Sequence, residues 1–136
     1  MLRPRVVLDS NVLISATRFR GVPGAVLDAA RDGTIDGVVS LHILGEVRRV
    51  LVRPHLGYDQ QEADGFAADL ASFCDVLVTS AVPGAWCEDP DDDAIVQTAI
   101  LGEASFVVTG DAHLLDLSVP RIRFVTPSEL LDLAPA

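Results

Sequence analysis

Glu88-Asp89-Pro90-Asp91-Asp92-Asp93 places five carboxylates within six residues and runs straight into the apolar stretch Ala94-Ile95-Val96-Gln97-Thr98-Ala99-Ile100. Neighbouring like charges destabilise one another, so a run this dense needs either full hydration or a cation. Three more acids stand where the chain changes character: Asp9 after Val6-Val7-Leu8, Glu46 within an apolar helical pattern, and Asp111 after Val107-Val108-Thr109-Gly110. Carboxylates without His or Cys partners suit a hard cation such as Mg²⁺ or Mn²⁺. Two such ions about 4 Å apart activate a water and stabilise the leaving oxygen of an in-line displacement at phosphorus. That chemistry needs no basic side chain. The run lacks the mid-loop Gly and terminal Glu of an EF-hand, which excludes a calcium loop of that kind.

Composition narrows the setting. The chain has 136 residues, 49% of them hydrophobic, so it is expected to form one domain over residues 1–136 with a real core. Its formal net charge of -10 argues against a broad basic nucleic-acid surface. It does not exclude a nucleic-acid enzyme whose acids bind metal, because the ion supplies local positive charge. All ten basic residues are arginines and no lysine occurs. Cys74 and Cys87 are too few for a disulfide framework and read as reduced thiols. No apolar run approaches the roughly 18 residues of a membrane span, and the start, Met1-Leu2-Arg3-Pro4-Arg5, lacks the pattern of a signal peptide. The expected location is the cytoplasm.

The elements that must position the acids follow from period and punctuation. Val6-Val7-Leu8 reads as a central parallel strand, apolar on both faces. Asp9-Ser10-Asn11 offers caps for a helix through Val12–Ala16. Pro23 opens a helix over Ala25–Arg31 that Asp32-Gly33 ends. Ile35–Ser40 reads as a second strand, followed by a helix over Leu41–Val52 with Ile43, Leu44, Val47, Val50 and Leu51 on its core face. A helix over Asp59–Phe73 and a strand over Val76–Val78 come next. Ala81–Pro90 is a loop, after which Asp91 or Asp92 caps a helix reaching Leu101. Ser105–Thr109 forms a fourth strand, Asp111 caps a short helix with Leu114 and Leu115, Ile122–Val125 is an edge strand, and Thr126-Pro127-Ser128-Glu129 opens a last helix. This alternation predicts a three-layer α/β/α sandwich around a central, mainly parallel sheet of about four to five strands. Such sheets bind ligands outside the carboxyl ends of their strands. Asp9 and Asp111 stand at those ends, and Glu46 and Asp91–Asp93 in helices leaving the same edge.

The order and spacing of these motifs resemble a known family. Val7-Leu8-Asp9-Ser10-Asn11-Val12-Leu13-Ile14-Ser15-Ala16 looks like the opening of a PIN domain. Leu44-Gly45-Glu46-Val47, Asp89-Pro90-Asp91-Asp92-Asp93 and Val108-Thr109-Gly110-Asp111 with Leu114-Leu115 follow in the family's order. The pattern is most similar to the VapC-like toxin components of toxin–antitoxin systems. The resemblance implies a PIN-like fold and a Mg²⁺- or Mn²⁺-dependent endoribonuclease. Its metal and catalytic acids are then Asp9, Glu46, Asp93 and Asp111. Asp93 is favoured within the run because it directly precedes the helical Ala94-Ile95-Val96-Gln97, with Asp92 next. Asn11 and Thr109 match small polar positions that orient the acids. The resemblance also implies an RNA substrate, a homodimer and a small antitoxin protein as partner, with no membrane association.

Other readings use the same acids. Asp9 and Asp111 each suit a plain helix cap. Asp9 as the nucleophile of an aspartate-based phosphatase wants a second Asp where Asn11 stands, and a lysine the chain lacks. A receiver domain fits poorly for the same want of lysine. A catalytically inactive PIN-like RNA-binding or scaffold protein keeps the fold but breaks the acid set, and no acid is missing here. His42, His55 and His113 show no metal-ligand spacing. Trp86 reads as a loop-packing aromatic ahead of a base-stacking platform. Arg48, Arg49 and Arg53 form a modest basic stripe that a phosphate backbone would accept, with Arg18 and Arg20 as similar candidates.

Overall fold

Val6, Val7 and Leu8 are fully buried, and that burial on both faces makes β1 (Arg5–Leu8) the centre of the sheet. It is flanked by β2 (Asp36–Ser40) and β4 (Phe106–Val108). β3 (Asp75–Leu77) and β5 (Arg123–Val125) form the edges. The strand order is β3-β2-β1-β4-β5 and every pairing is parallel, so the predicted sheet is present with five strands. The structure, a computed structural model, describes residues 3–79 and 86–133. The predicted loop over Ala81–Pro90, with Pro83 and Gly84, lies largely outside the described residues.

Eight-residue and longer helices fill both faces: α1 (Ser10–Arg18), α2 (Val22–Asp32), α3 (Leu41–Leu51), α4 (Gln60–Phe73) and α5 (Pro90–Leu101). The shorter α6 (Ala112–Leu115) and α7 (Pro127–Leu133) complete the described helices. The chain steps outward from β1 to β3 through α1 to α4, then returns across the sheet through α5 to β4. Right-handed crossovers put helices on opposite faces when the direction of travel reverses. The contacts agree: α1, α2, α3, α4 and α7 pack against one another, while α5 lies on β1, β2 and β4. This is the three-layer sandwich.

Local chemistry sets the helix ends. Gly33 stops α2 at φ 86°, a left-handed conformation that glycine adopts without a Cβ clash. Asp59 and Glu62 form a reciprocal capping box at the start of α4. Gly102 closes α5 where a Cβ would stand 2.9 Å from Val38 Cγ1 and 3.0 Å from Leu77 Cδ1, so only glycine lets the helix end pack on β2 and β3. Arg5 gathers the amino ends of three strands: Nη1 donates to Asp36 at 2.7 Å, Nη2 to Asp75 at 2.9 Å, and Nε to the Gly102 carbonyl at 2.6 Å.

Several boundaries differ from the sequence expectation. α1 begins at Ser10, two residues early, because Asp9 itself caps it. β3 ends at Leu77, which pairs with the last residue of β2, Ser40. Val78 has no partner strand to continue along and is 73% exposed. α5 begins at Pro90, and its cap is Asp89, which accepts from the amides of Asp91 and Asp92 at 2.8 and 3.2 Å. Asp91 and Asp92 are therefore inside the first turn, with Pro90 pre-setting φ at its start.

Candidate functional site: a carboxylate crevice at the switch point

The sheet order reverses between β1 and β4, so the loops leaving their carboxyl ends diverge and open a crevice. Asp9 and Asp111 stand on its two sides. A cavity of about 210 Å³ lies there, lined by Asp9, Ser10, Asn11, His42, Ile43, Glu46, Asp89, Asp91, Asp92, Ile95 and Asp111. Six of those residues are acids.

Asp9 is the anchor. It is buried, and its two oxygens are held separately: Oδ1 accepts from the Ser10 amide at 2.7 Å and Oδ2 from the Thr109 hydroxyl at 2.7 Å. The same Thr109 oxygen accepts the Asp111 amide at 3.0 Å. One hydroxyl thus ties the first acid to the loop that carries the last. Asn11 Oδ1 accepts from the Gly110 amide at 3.3 Å and braces the same loop. Asp111 Oδ1 accepts from the His113 amide at 2.8 Å and caps α6. Glu46 comes from the second turn of α3, which starts at the sheet edge because buried Ser40 caps it through the Ile43 amide at 3.2 Å. The Ser10 hydroxyl donates to Glu46 Oε1.

Asp92 lines the crevice from the first turn of α5, and Asp91 does so beside it. Asp93, the expected corner, is placed elsewhere. It is 1% exposed and lies outside the cavity wall. Its Oδ1 accepts the amides of Trp86 at 2.7 Å and Cys87 at 3.1 Å, and its Oδ2 accepts from Gln97 at 2.8 Å. The reason is helical phase. One residue advances the helix by about 100°, so Asp92 and Asp93 face different directions. With the helix starting at Pro90, Asp92 reaches the crevice and Asp93 turns toward the incoming loop.

The electrostatics are those of crowded acids. Burial pushes the Asp9 carboxyl up from its usual range, the Thr109 and Ser10 hydrogen bonds oppose this, and the charges of Glu46 and Asp111 add to it. Asp92 is also raised, by burial first and then by Asp89 and Asp111, with His113 acting in the opposite sense. Among the described residues, the arginine ion pairs go to Asp36, Asp75, Asp69 and Asp64, away from the crevice. Oxygen donors from four elements, held apart by hydrogen bonds and without an arginine counter-charge of their own, fit a hard divalent cation.

Sequence patterns missed Ser10 and His42. Ser10 offers no separate signal beyond its place beside Asp9. His42 is four residues before Glu46, a spacing that puts both on one face of α3, but a search for paired histidines passes over it.

The family model described as "PIN domain" matches residues 5–113. The chain belongs to the PIN-domain family. Residues 5–113 of this PIN domain run from β1 into α6 and include every acid of the crevice. No curated protein sequence matches the chain. Among solved structures, the PIN domain is similar to a chain of "Crystal structure of VapBC2 from Rickettsia felis bound to a DNA fragment from their promoter". The two are 14% identical, the match covers 88% of this chain and 96% of that one, and the TM-score is 0.60. At that identity the likeness is one of fold.

Proposed function

We propose that this PIN domain is a Mg²⁺- or Mn²⁺-dependent endoribonuclease, the toxin of a toxin–antitoxin pair, with Asp9, Glu46, Asp92 and Asp111 as its metal-holding acids. The observation that carries the reading is the convergence of these four carboxylates, from four separate elements, on one cavity at the switch point of the sheet. Asp92 replaces Asp93 in the set because Asp92 lines the cavity, whereas Asp93 is buried outside its wall.

A divalent ion held by Asp9, Glu46, Asp92 and Asp111 would supply Lewis acidity at the scissile phosphate and an activated water. The chain's own residues supply the frame. Thr109 and the Ser10 amide fix the orientation of the Asp9 carboxylate. Ser10 fixes Glu46 through its hydroxyl, and Asn11 braces the Asp111 loop. A bound cation would oppose the upward shifts of Asp9 and Asp92 and favour their ionised forms. The exposed arginines Arg18, Arg20 and Arg49 are candidates to meet the RNA backbone, and a homodimer would bring two such sets together. The fold match to a chain from VapBC2 and the resemblance to VapC-type toxins support a small antitoxin protein as partner. Asp9 as a phosphatase nucleophile is disfavoured because Asn11 stands where that chemistry wants a second Asp and the chain has no lysine.

The test is RNA cleavage with Mg²⁺ or Mn²⁺, with and without EDTA, for wild type, Asp9→Asn and Asp92→Asn. The expected result is cleavage by wild type only, abolished by EDTA. Cleavage that survives EDTA, or full activity in Asp9→Asn, refutes the mechanism. Growth arrest on expression, relieved by a small co-encoded protein, separates a toxin from a housekeeping nuclease.

A further inference from the structure

His42 lies on the rim of the crevice, one helical turn before Glu46, and its ring faces Asp91 in the first turn of α5. His42 Nε2 is 3.0 Å from Asp91 Oδ1. The atom is shielded from solvent and makes no directed hydrogen bond. The close approach to Asp91 is therefore not a directed hydrogen bond. Ligand atoms from His42, Glu46 and Asp91 all lie within 4.8 Å of one another. Donor atoms on adjacent corners of an octahedral ion with bonds of about 2.1 Å stand about 3 Å apart. For a tetrahedral ion such as Zn²⁺ the same bonds give about 3.4 Å, so the His42–Asp91 contact at 3.0 Å is within a few tenths of an ångström of an edge between two ligands of one ion.

From this geometry we propose that His42, Glu46 and Asp91 form a second cation position beside the carboxylate pocket, sharing Glu46 with it. The ligand chemistry differs from the pocket. Imidazole suits Zn²⁺, Ni²⁺ and other late first-row ions, whereas Mg²⁺ keeps to oxygen. The position takes an imidazole-accepting divalent transition ion in preference to Mg²⁺. It rests on the metal reading of the crevice through Glu46 alone and needs no nuclease step. Its consequence is selectivity: the crevice distinguishes transition ions from Mg²⁺ at its rim, through a histidine on the helix that also presents Glu46.

The probe is Zn²⁺ added to the metal-free full chain, read by the imidazole ¹⁵N resonances and by calorimetric titration. The expected result is a shift of the His42 Nε2 resonance that saturates near one equivalent of the His42-dependent binding class, with His55, which does not line the crevice, unmoved. His42→Ala and Asp91→Asn each weaken that class at least about tenfold while Mg²⁺ binding changes less than twofold. Asp9→Asn leaves the His42 shift in place. An unmoved His42 resonance in wild type, or equal Zn²⁺ affinity in wild type and His42→Ala, overturns the proposal. A His42 shift in a protein that cleaves no RNA supports this site and refutes the nuclease reading. Absence of the shift in a protein that does cleave RNA refutes this site alone.

Discussion

Asp93 Oδ1 accepts the backbone amide of Trp86 at 2.7 Å. That bond, with the second to Cys87, makes Asp93 the residue that fastens the loop entering α5. Removing an acceptor that leaves two amides without it costs about 1–3 kcal/mol. We expect Asp93→Ala to lose that much stability in urea denaturation. Asp92→Asn should keep its stability and lose cleavage by at least about 100-fold, as ligand loss does. The reverse pattern would restore Asp93 to the metal set.

The Ser10–Glu46 bond predicts a positioning role for a residue with no metal-binding chemistry of its own. Ser10→Ala is expected to lower activity about 10- to 100-fold, in the range of changes to groups that orient ligands. Thermal stability should move by less than about 1 kcal/mol, the net worth of one neutral hydrogen bond. Ser10→Thr, which retains the hydroxyl, should recover part of the activity. A silent Ser10→Ala would show that Glu46 holds its place unaided.

Crowded acids make the metal-free crevice a source of strain. In EDTA, Asp9→Asn should unfold at the same temperature as wild type or a higher one, because it removes one buried like charge. Saturating Mn²⁺, at about 100 times its Kd, should stabilise wild type by about 2.7 kcal/mol. Asp9→Asn should gain much less. Thermal scans with and without Mn²⁺ measure both, and an equal Mn²⁺ gain in the two proteins would remove Asp9 from the ligand set.

Arg31 pairs with Asp69 at 2.8 Å, between α2 and α4, and holds the Asp69 carboxyl below its ordinary range. A carboxyl with a lowered folded pKa contributes stability above its unfolded pKa and loses it as pH falls through the folded value. Wild type should therefore exceed Asp69→Asn in stability at neutral pH, by no more than about 1 kcal/mol for so exposed a pair. The difference should shrink as pH falls through the lowered folded value of Asp69 and vanish once the carboxyl is protonated in both states. Arg31 also stacks 4.6 Å from the Phe73 ring centre, so Arg31→Ala should keep a deficit at low pH that Asp69→Asn does not.

The two thiols should react in a fixed order. Burial pushes Cys74 up to about 12, and the thiolate is the nucleophile. Cys87 is raised too, by burial first, but it is only partly buried. Iodoacetamide near pH 8 should alkylate Cys87 first and reach Cys74 only on unfolding. Mass spectrometry of timed samples checks the order.

Short-range chemistry was enough to lay out most of this chain. Alternation of β-branched runs with helical periods announced a parallel α/β sandwich, since a strand buried on both faces needs helices above and below it. Asp9 and Asp111 were legible because each ends an apolar strand with a residue that also caps a helix. What needed three dimensions was phase and company. Whether Asp92 or Asp93 enters the crevice depends on where α5 starts, and that is set by Asp89 and Pro90 competing with the next two acids for the same cap. Such a one-residue choice turns a side chain by about 100°, and a run of similar acids does not reveal it. His42 joined the site only through its contact with Asp91 between α3 and α5, and Ser10 only through its bond to Glu46 between α1 and α3. A pairing between distant segments has no signature in either segment alone.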